Sequence, residues 1–98
     1  MIIVYGHLTA KADTIEEMTK IARAHVERSR GEEGCISHEV TVDSENPLRL
    51  VFFERWDDKA ALDAHFAQKE ARHAFQGMRA LAADKGRMQV YEAEKIVI

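Results

Sequence analysis

One cysteine, one proline and five glycines stand in a chain of 98 residues, and each scarcity excludes something. A lone Cys35 has no internal partner, so no disulfide staples the fold, and a reducing cytoplasm is the expected compartment. So little proline and glycine leaves no room for a flexible linker, a collagen-like repeat or a disordered tail. The longest apolar run, Met1 to Tyr5, is too short for a membrane span or a signal-peptide core. Positive charge is not in excess: 14 Lys and Arg face 17 Asp and Glu, a net charge of −3. That balance argues against nucleic acid as a partner, because phosphate backbones call for a basic surface. No G-x-G-x-x-G and no Cys-x-x-Cys-His occurs, so no flavin, nicotinamide or haem motif is present.

What the chain does have is 46% hydrophobic and 32% charged residues, the balance of one folded domain over residues 1–98. A domain of this size buries only roughly 60–65% of its unfolded surface. It is therefore marginal unless a partner covers more.

Hydrophobic periodicity gives the elements. Residues 2–9 are rich in β-branched and aromatic side chains and read as a strand apolar on both faces, hence central in its sheet. Thr14 with Glu17 has the capping-box spacing, and Ile15, Met18, Ile21, Ala22, His25, Val26 and Ser29 share an arc of roughly 140° on the helix that follows. Gly31 is placed to close that helix in the left-handed conformation. Residues 34–43 alternate as a strand, with Ile36, His38, Val40 and Val42 on one face. A turn at Ser44–Pro47 leads to a third strand over 48–56. Asp57 or Asp58 caps a helix over 59–68, a kink is expected near Gln68-Lys69, and a further helical piece over 71–84 is followed by a closing strand over 87–98. The order β-α-β-β-α-β predicts an α+β, ferredoxin-like fold with a four-stranded antiparallel sheet and helices on one face.

Helices on one face leave the other open. Val51, Phe53, Val4 and Leu8 are expected to make that open face apolar, and a second copy packing against it with two-fold symmetry is the economical cover. The chain is its own expected partner, as a homodimer.

One segment resembles a known family. Phe53-Glu54-Arg55-Trp56 running into Asp57-Asp58-Lys59-Ala60-Ala61-Leu62-Asp63-Ala64-His65 is similar to the signature of the antibiotic biosynthesis monooxygenase domain, an aromatic-Glu-x-Trp strand end followed by a helix carrying Ala-x-x-x-His. Upstream, Glu32-Glu33-Gly34-Cys35 resembles the family's Glu-x-Gly-Cys approach to its second strand. The resemblance implies a dimeric α+β barrel. The family includes quinol monooxygenases, oxygenases that finish aromatic polyketides, haem-degrading enzymes and members without an assigned reaction. Two positions depart from its pattern. His7 stands where haem-degrading members carry Asn, and His38 where Tyr is common.

Several residues suit a reaction centre. Glu54 and Trp56 share one strand face, and His65 lies on the apolar stripe of the next helix, able to fold back over them. His65 is the expected base, because imidazole titrates near neutrality, with Glu54 as its orienting or charge-balancing partner. Trp56, His7, Tyr5 and His38 are the expected substrate-binding set. His25 reads as core filler, with reach into the cleft as the alternative, and His73 as exposed. No metal is expected, since no His pair has i, i+4 spacing with a Glu and one Cys cannot build a thiolate cluster.

The resulting expectation is a monooxygenase without cofactor, oxidising a small electron-rich aromatic, a quinol or hydroxylated polycycle, with dioxygen. The alternatives are a non-catalytic dimeric ligand-binding or stress-response module, and an isomerase or degradative enzyme for a small oxygenated metabolite using the same cleft.

Overall fold

Ile2–Thr9 forms the first strand, β1, of a computed structural model that describes residues 1–98. Helix α1 (Ile15–Ser29), strands β2 (Cys35–Asp43) and β3 (Asn46–Trp56), helices α2 (Lys59–Ala67) and α3 (Lys69–Leu81) and strand β4 (Arg87–Glu92) follow. The sheet order is β2-β3-β1-β4, antiparallel throughout. This is the ferredoxin-like α+β arrangement, with the two runs of both-sided hydrophobicity, β1 and β3, at its centre.

The expected kink is a break. Gln68 is extended, with φ −72° and ψ 137°, and divides α2 from α3. Continuing α2 would have carried Lys69 into the apolar stripe; the break turns it away and presents Ala71, Ala74 and Met78 to the core. Asp58 caps α2, accepting from the Ala61 amide at 2.9 Å.

Other details differ from expectation for identifiable reasons. Thr14 does not form a capping box. Its hydroxyl donates to the Leu81 carbonyl at 2.7 Å and accepts from the Lys11 amide, so it ties the start of α1 to the end of α3. Gly31 is not left-handed. Arg30 keeps helical angles at the end of α1, and the positive φ falls on Gly34, at 83°, where the chain turns into β2. A bulge between Cys35 and Ser37 shifts the register of β2. Cys35 therefore shares the helix-covered face with Trp56 and His38, while Ile36 is exposed. Helix α3 stops at Leu81 rather than 84, and β4 pairs only to Glu92; Ile96, Val97 and Ile98 are exposed.

Val4 and Leu8 do not belong to the open sheet face. Val4 lies opposite Glu54 and Leu8 opposite Leu50, and both pack toward the helices. The open face carries Ile3, Tyr5 and His7, paired with Arg55, Phe53 and Val51. On the covered face are two apolar clusters. One joins Met18, Ala22, Leu50 and Met78; the other joins Ile2, Val4, Trp56 and Leu62. A buried polar set lies between them.

Candidate functional site

The β3 pleat puts Glu54 and Trp56 on the covered face, and the β2 register sets His38 directly opposite Glu54. Both groups are almost fully buried. Trp56 Nε1–H donates to Glu54 Oε1 at 2.9 Å. His38 Nε2 stands 3.2 Å from the same oxygen, an ion-pair distance without hydrogen-bond alignment. Burial alone would raise the Glu54 pKa. Contact with His38, the Trp56 N–H and the proximity of His65 outweigh it and hold the carboxyl below its usual range.

Two further imidazoles close on this pair. His25 comes from the apolar stripe of α1, where Arg28, one turn on, places Nη2 2.8 Å from its Nδ1. A guanidinium can only donate, so that nitrogen is the acceptor and the ring proton sits on Nε2. The His25 pKa is lowered to about 3, mainly by burial and then by the neighbouring His38, His65 and Arg28. His25 is therefore neutral at any physiological pH. His65 comes from α2 and is fully buried. Its Nδ1 lies 2.9 and 3.2 Å from the two carboxylate oxygens of Glu32, which leaves Nε2 facing inward without a partner. The Trp56 ring lies 4.7 Å from the His65 ring, tilted by 36°.

The three imidazole centroids are 5.1–5.5 Å apart. One nitrogen from each ring lies within 4.8 Å of the other two. Imidazole nitrogens converging in a buried space can accept and hand on protons, hold a polar ligand or coordinate a cation.

A cavity of about 190 Å³ opens beside this cluster. His25, His38 and Glu54 form its polar wall, Phe52, Phe75 and Met78 are part of its apolar wall, and Arg79, Lys85 and Arg87 add positive charge. Not every expected residue meets there. His65 and Trp56 are outside the lining and stand behind the polar wall. Tyr5 is on the open sheet face, partly exposed. His7 reaches the lining where β1 meets the Gly86 turn, but its register is with Val51 and its ring is in edge contact with Tyr5. Glu54 and Trp56 pair instead with Val4 and Ile2, on the other face, so the pleat separates His7 from both. His73 is exposed.

Sequence reasoning missed three participants. His25 lies at a core position of an amphipathic stripe, where packing is the default role. Glu32 lies 33 residues before His65, in a loop without periodicity. Two local signals were available: Arg28, a cation at i+3 from His25 on the same helix, and the Glu-x-Gly-Cys string that begins at Glu32.

A family model described as antibiotic biosynthesis monooxygenase matches residues 1–77. An uncharacterized protein of Synechocystis sp. is 40% identical over 65 residues, 66% of this chain and 44% of that protein. The chain thus matches less than half the length of that relative. Among solved structures, an antibiotic biosynthesis monooxygenase superposes with TM-score 0.89 at 28% identity, covering 97% of this chain and 100% of the other. A conserved protein of Methanosarcina mazei superposes with TM-score 0.90 at 25% identity, over 95% of this chain and 92% of its own.

Proposed function

Because the chain belongs to the antibiotic biosynthesis monooxygenase family, we propose that it oxidises a small, monocyclic, electron-rich aromatic with dioxygen, the substrate itself supplying the electrons. The observation that carries this reading is the cavity, which sets two imidazoles and a buried carboxylate against an aromatic wall. Its volume of about 190 Å³ suits one ring, since a cavity of ~150 Å³ holds benzene. Arg79, Lys85 and Arg87 on the lining favour an acidic substituent or a phenolate.

In this reading His38, which lines the cavity, accepts the phenolic proton, rather than the expected His65, which does not line it. Glu54, 3.2 Å from its Nε2, balances the imidazolium that forms. His25, neutral and protonated on Nε2, donates to a substrate oxygen. His65 and Trp56 position His38 and Glu54 from behind and keep water from them. The phenolate passes one electron to dioxygen, and the aryloxyl radical and superoxide combine at a ring C–H carbon. The resulting hydroperoxide loses water to leave a carbonyl. One oxygen atom enters the ring as quinone and the other leaves as water, so phenol plus dioxygen gives quinone plus water.

The working unit in this reading is a homodimer joined through the open sheet face. Ile3, Tyr5, Val51 and Phe53 make that face apolar, with Tyr5 and Phe53 exposed. Monomers rarely leave such a patch in water. The lone cysteine, Cys35, supports a reducing cytoplasm as the working compartment.

The test is dioxygen uptake by the chelator-treated protein with a panel of monocyclic and polycyclic phenols and quinols. Uptake restricted to monocyclic substrates supports the reading. Spectral change of a metabolite without uptake points to an isomerase, and binding without either points to a ligand-binding module; both overturn it.

A further inference from the structure

The arrangement of His25, His38 and His65 has a property that the oxidation does not use. Three imidazoles from three separate elements, α1, β2 and α2, turn toward one buried point. Each ring is at most 1% exposed. His25 Nε2 and His65 Nε2 have no hydrogen-bond partner, and neither nitrogen of His38 has an aligned one. Buried polar atoms are normally paired, so several orphans around one point need a ligand to explain them.

We propose that these three histidines bind one divalent first-row transition-metal ion of the imidazole-preferring class, such as Zn²⁺, Ni²⁺ or Cu²⁺. Imidazole is a borderline donor that suits these ions. One outward nitrogen is held as those of metal-ligating histidines usually are: His65 Nδ1 rests on the Glu32 carboxylate at 2.9 Å, while His38 Nε2 has the Glu54 carboxylate 3.2 Å away, within reach once the ring turns. Charge also closes. Three neutral rings with the Glu32 and Glu54 carboxylates offset the two positive charges of the ion in a space that solvates charge poorly.

Geometry requires one adjustment. Tetrahedral bonds of ~2.1 Å set nitrogens about 3.4 Å apart, whereas here they lie within 4.8 Å of one another. Rotation of the rings inward by less than about 1 Å per nitrogen closes the site. One proton must also move. Arg28 fixes the His25 proton on Nε2, so the ion displaces it, Nδ1 takes it up, and the half-buried Arg28 withdraws. Arg28 therefore opposes metal binding. The cavity beside His25 and His38 leaves a fourth coordination position open to solvent or ligand.

This site does not depend on the proposed oxidation, although the two compete. An ion on His38 and His25 takes the nitrogens that the oxidation needs, so a redox-inert ion such as Zn²⁺ silences it.

The experiment is titration of the metal-free full chain with Co²⁺, whose visible bands report tetrahedral nitrogen coordination, and with Zn²⁺ by calorimetry. The expected result is saturation at one ion per chain. Glu32→Gln should weaken binding roughly 10–100-fold and His65→Gln more than that. Arg28→Gln should tighten it, and His73→Gln should leave it unchanged. Substitution of a buried His can compromise folding, so the wild-type protein is also followed by imidazole ¹⁵N resonances during Zn²⁺ addition. Those of His25, His38 and His65 should shift together while His73 stays fixed. No saturable uptake, or uptake that leaves these three resonances unmoved, overturns the site. A protein without oxidase activity would still give the full titration, so the two readings fail separately.

Discussion

Trp56 Nε1 and His38 Nε2 converge on the same oxygen, Glu54 Oε1, at 2.9 and 3.2 Å. The carboxylate is thereby ionised in a nearly dry setting and is committed to the ring that faces the cavity. Glu54→Gln keeps an oxygen for the Trp56 N–H but removes the charge. We expect a folded protein whose oxidation of any accepted quinol falls roughly 10²-fold or more, read from initial rates of dioxygen uptake. Wild-type rates in this variant would remove Glu54 from the chemistry.

His65 and His38 should now separate experimentally. His38→Gln is expected to abolish turnover while retaining the fold. His65→Gln loses its bond to Glu32 and should be destabilised by ~1–3 kcal/mol in a denaturant melt, with a smaller loss of rate. The opposite ranking of rates would return the base to His65.

The open sheet face gives a prediction about assembly. Phe53→Asp places a carboxylate where the proposed partner packs, and an unpaired buried charge costs several kcal/mol, on the order of a small domain's whole stability. The variant should sediment as a monomer or unfold, where the wild type sediments as a dimer at micromolar concentration. A stable wild-type monomer contradicts the assembly.

Gly34 takes φ 83°, and a Cβ there would lie 2.5 Å from the Ala61 Cβ. Gly34→Ala combines left-handed strain with a clash against α2, so it should cost ~1–3 kcal/mol. Gly31→Ala, where φ is not positive and the nearest atom is at 3.6 Å, should change stability by less than ~0.5 kcal/mol. Equal effects in thermal melts would contradict this assignment of the turn.

Cys35 provides a pH test. Burial pushes its thiol pKa up, and the Glu32 and Glu54 carboxylates push it further against the opposing effect of Arg30. The thiolate is the reactive form, so raising the pKa lowers its population at neutral pH. Alkylation by iodoacetamide should be slower than for a free thiol at pH 7–8 and should accelerate only above the ordinary thiol range. Rapid modification at pH 7 would contradict the described environment.

The fold was legible because periodicity was strong where packing is one-sided. The stripes of α1 and α3 name the faces that are buried, and the Lys69 misfit marks the break between two helices. Local spacing could not place the bulge that swaps Cys35 for Ile36, nor the transfer of the left-handed turn from Gly31 to Gly34, because both are decided by contacts with Trp56 and Ala61 in distant elements. The site was half legible. Glu54, Trp56 and His38 follow from strand parity and the family resemblance. The His25–His38–His65 cluster and the Glu32 contact unite residues far apart in the chain, so pair spacing within one helix could not reveal them. His7 and Tyr5 were lost to the cluster by the same parity that secured Glu54, since alternate residues of β1 face opposite sides.

Labelled dioxygen tests the central claim most directly. The chelator-treated protein, given ¹⁸O₂ and a monocyclic phenol or quinol that it turns over, should yield quinone carrying one labelled oxygen, with the second recovered in water. Label confined to hydrogen peroxide, with quinone unlabelled, would show simple electron transfer to dioxygen and contradict the account.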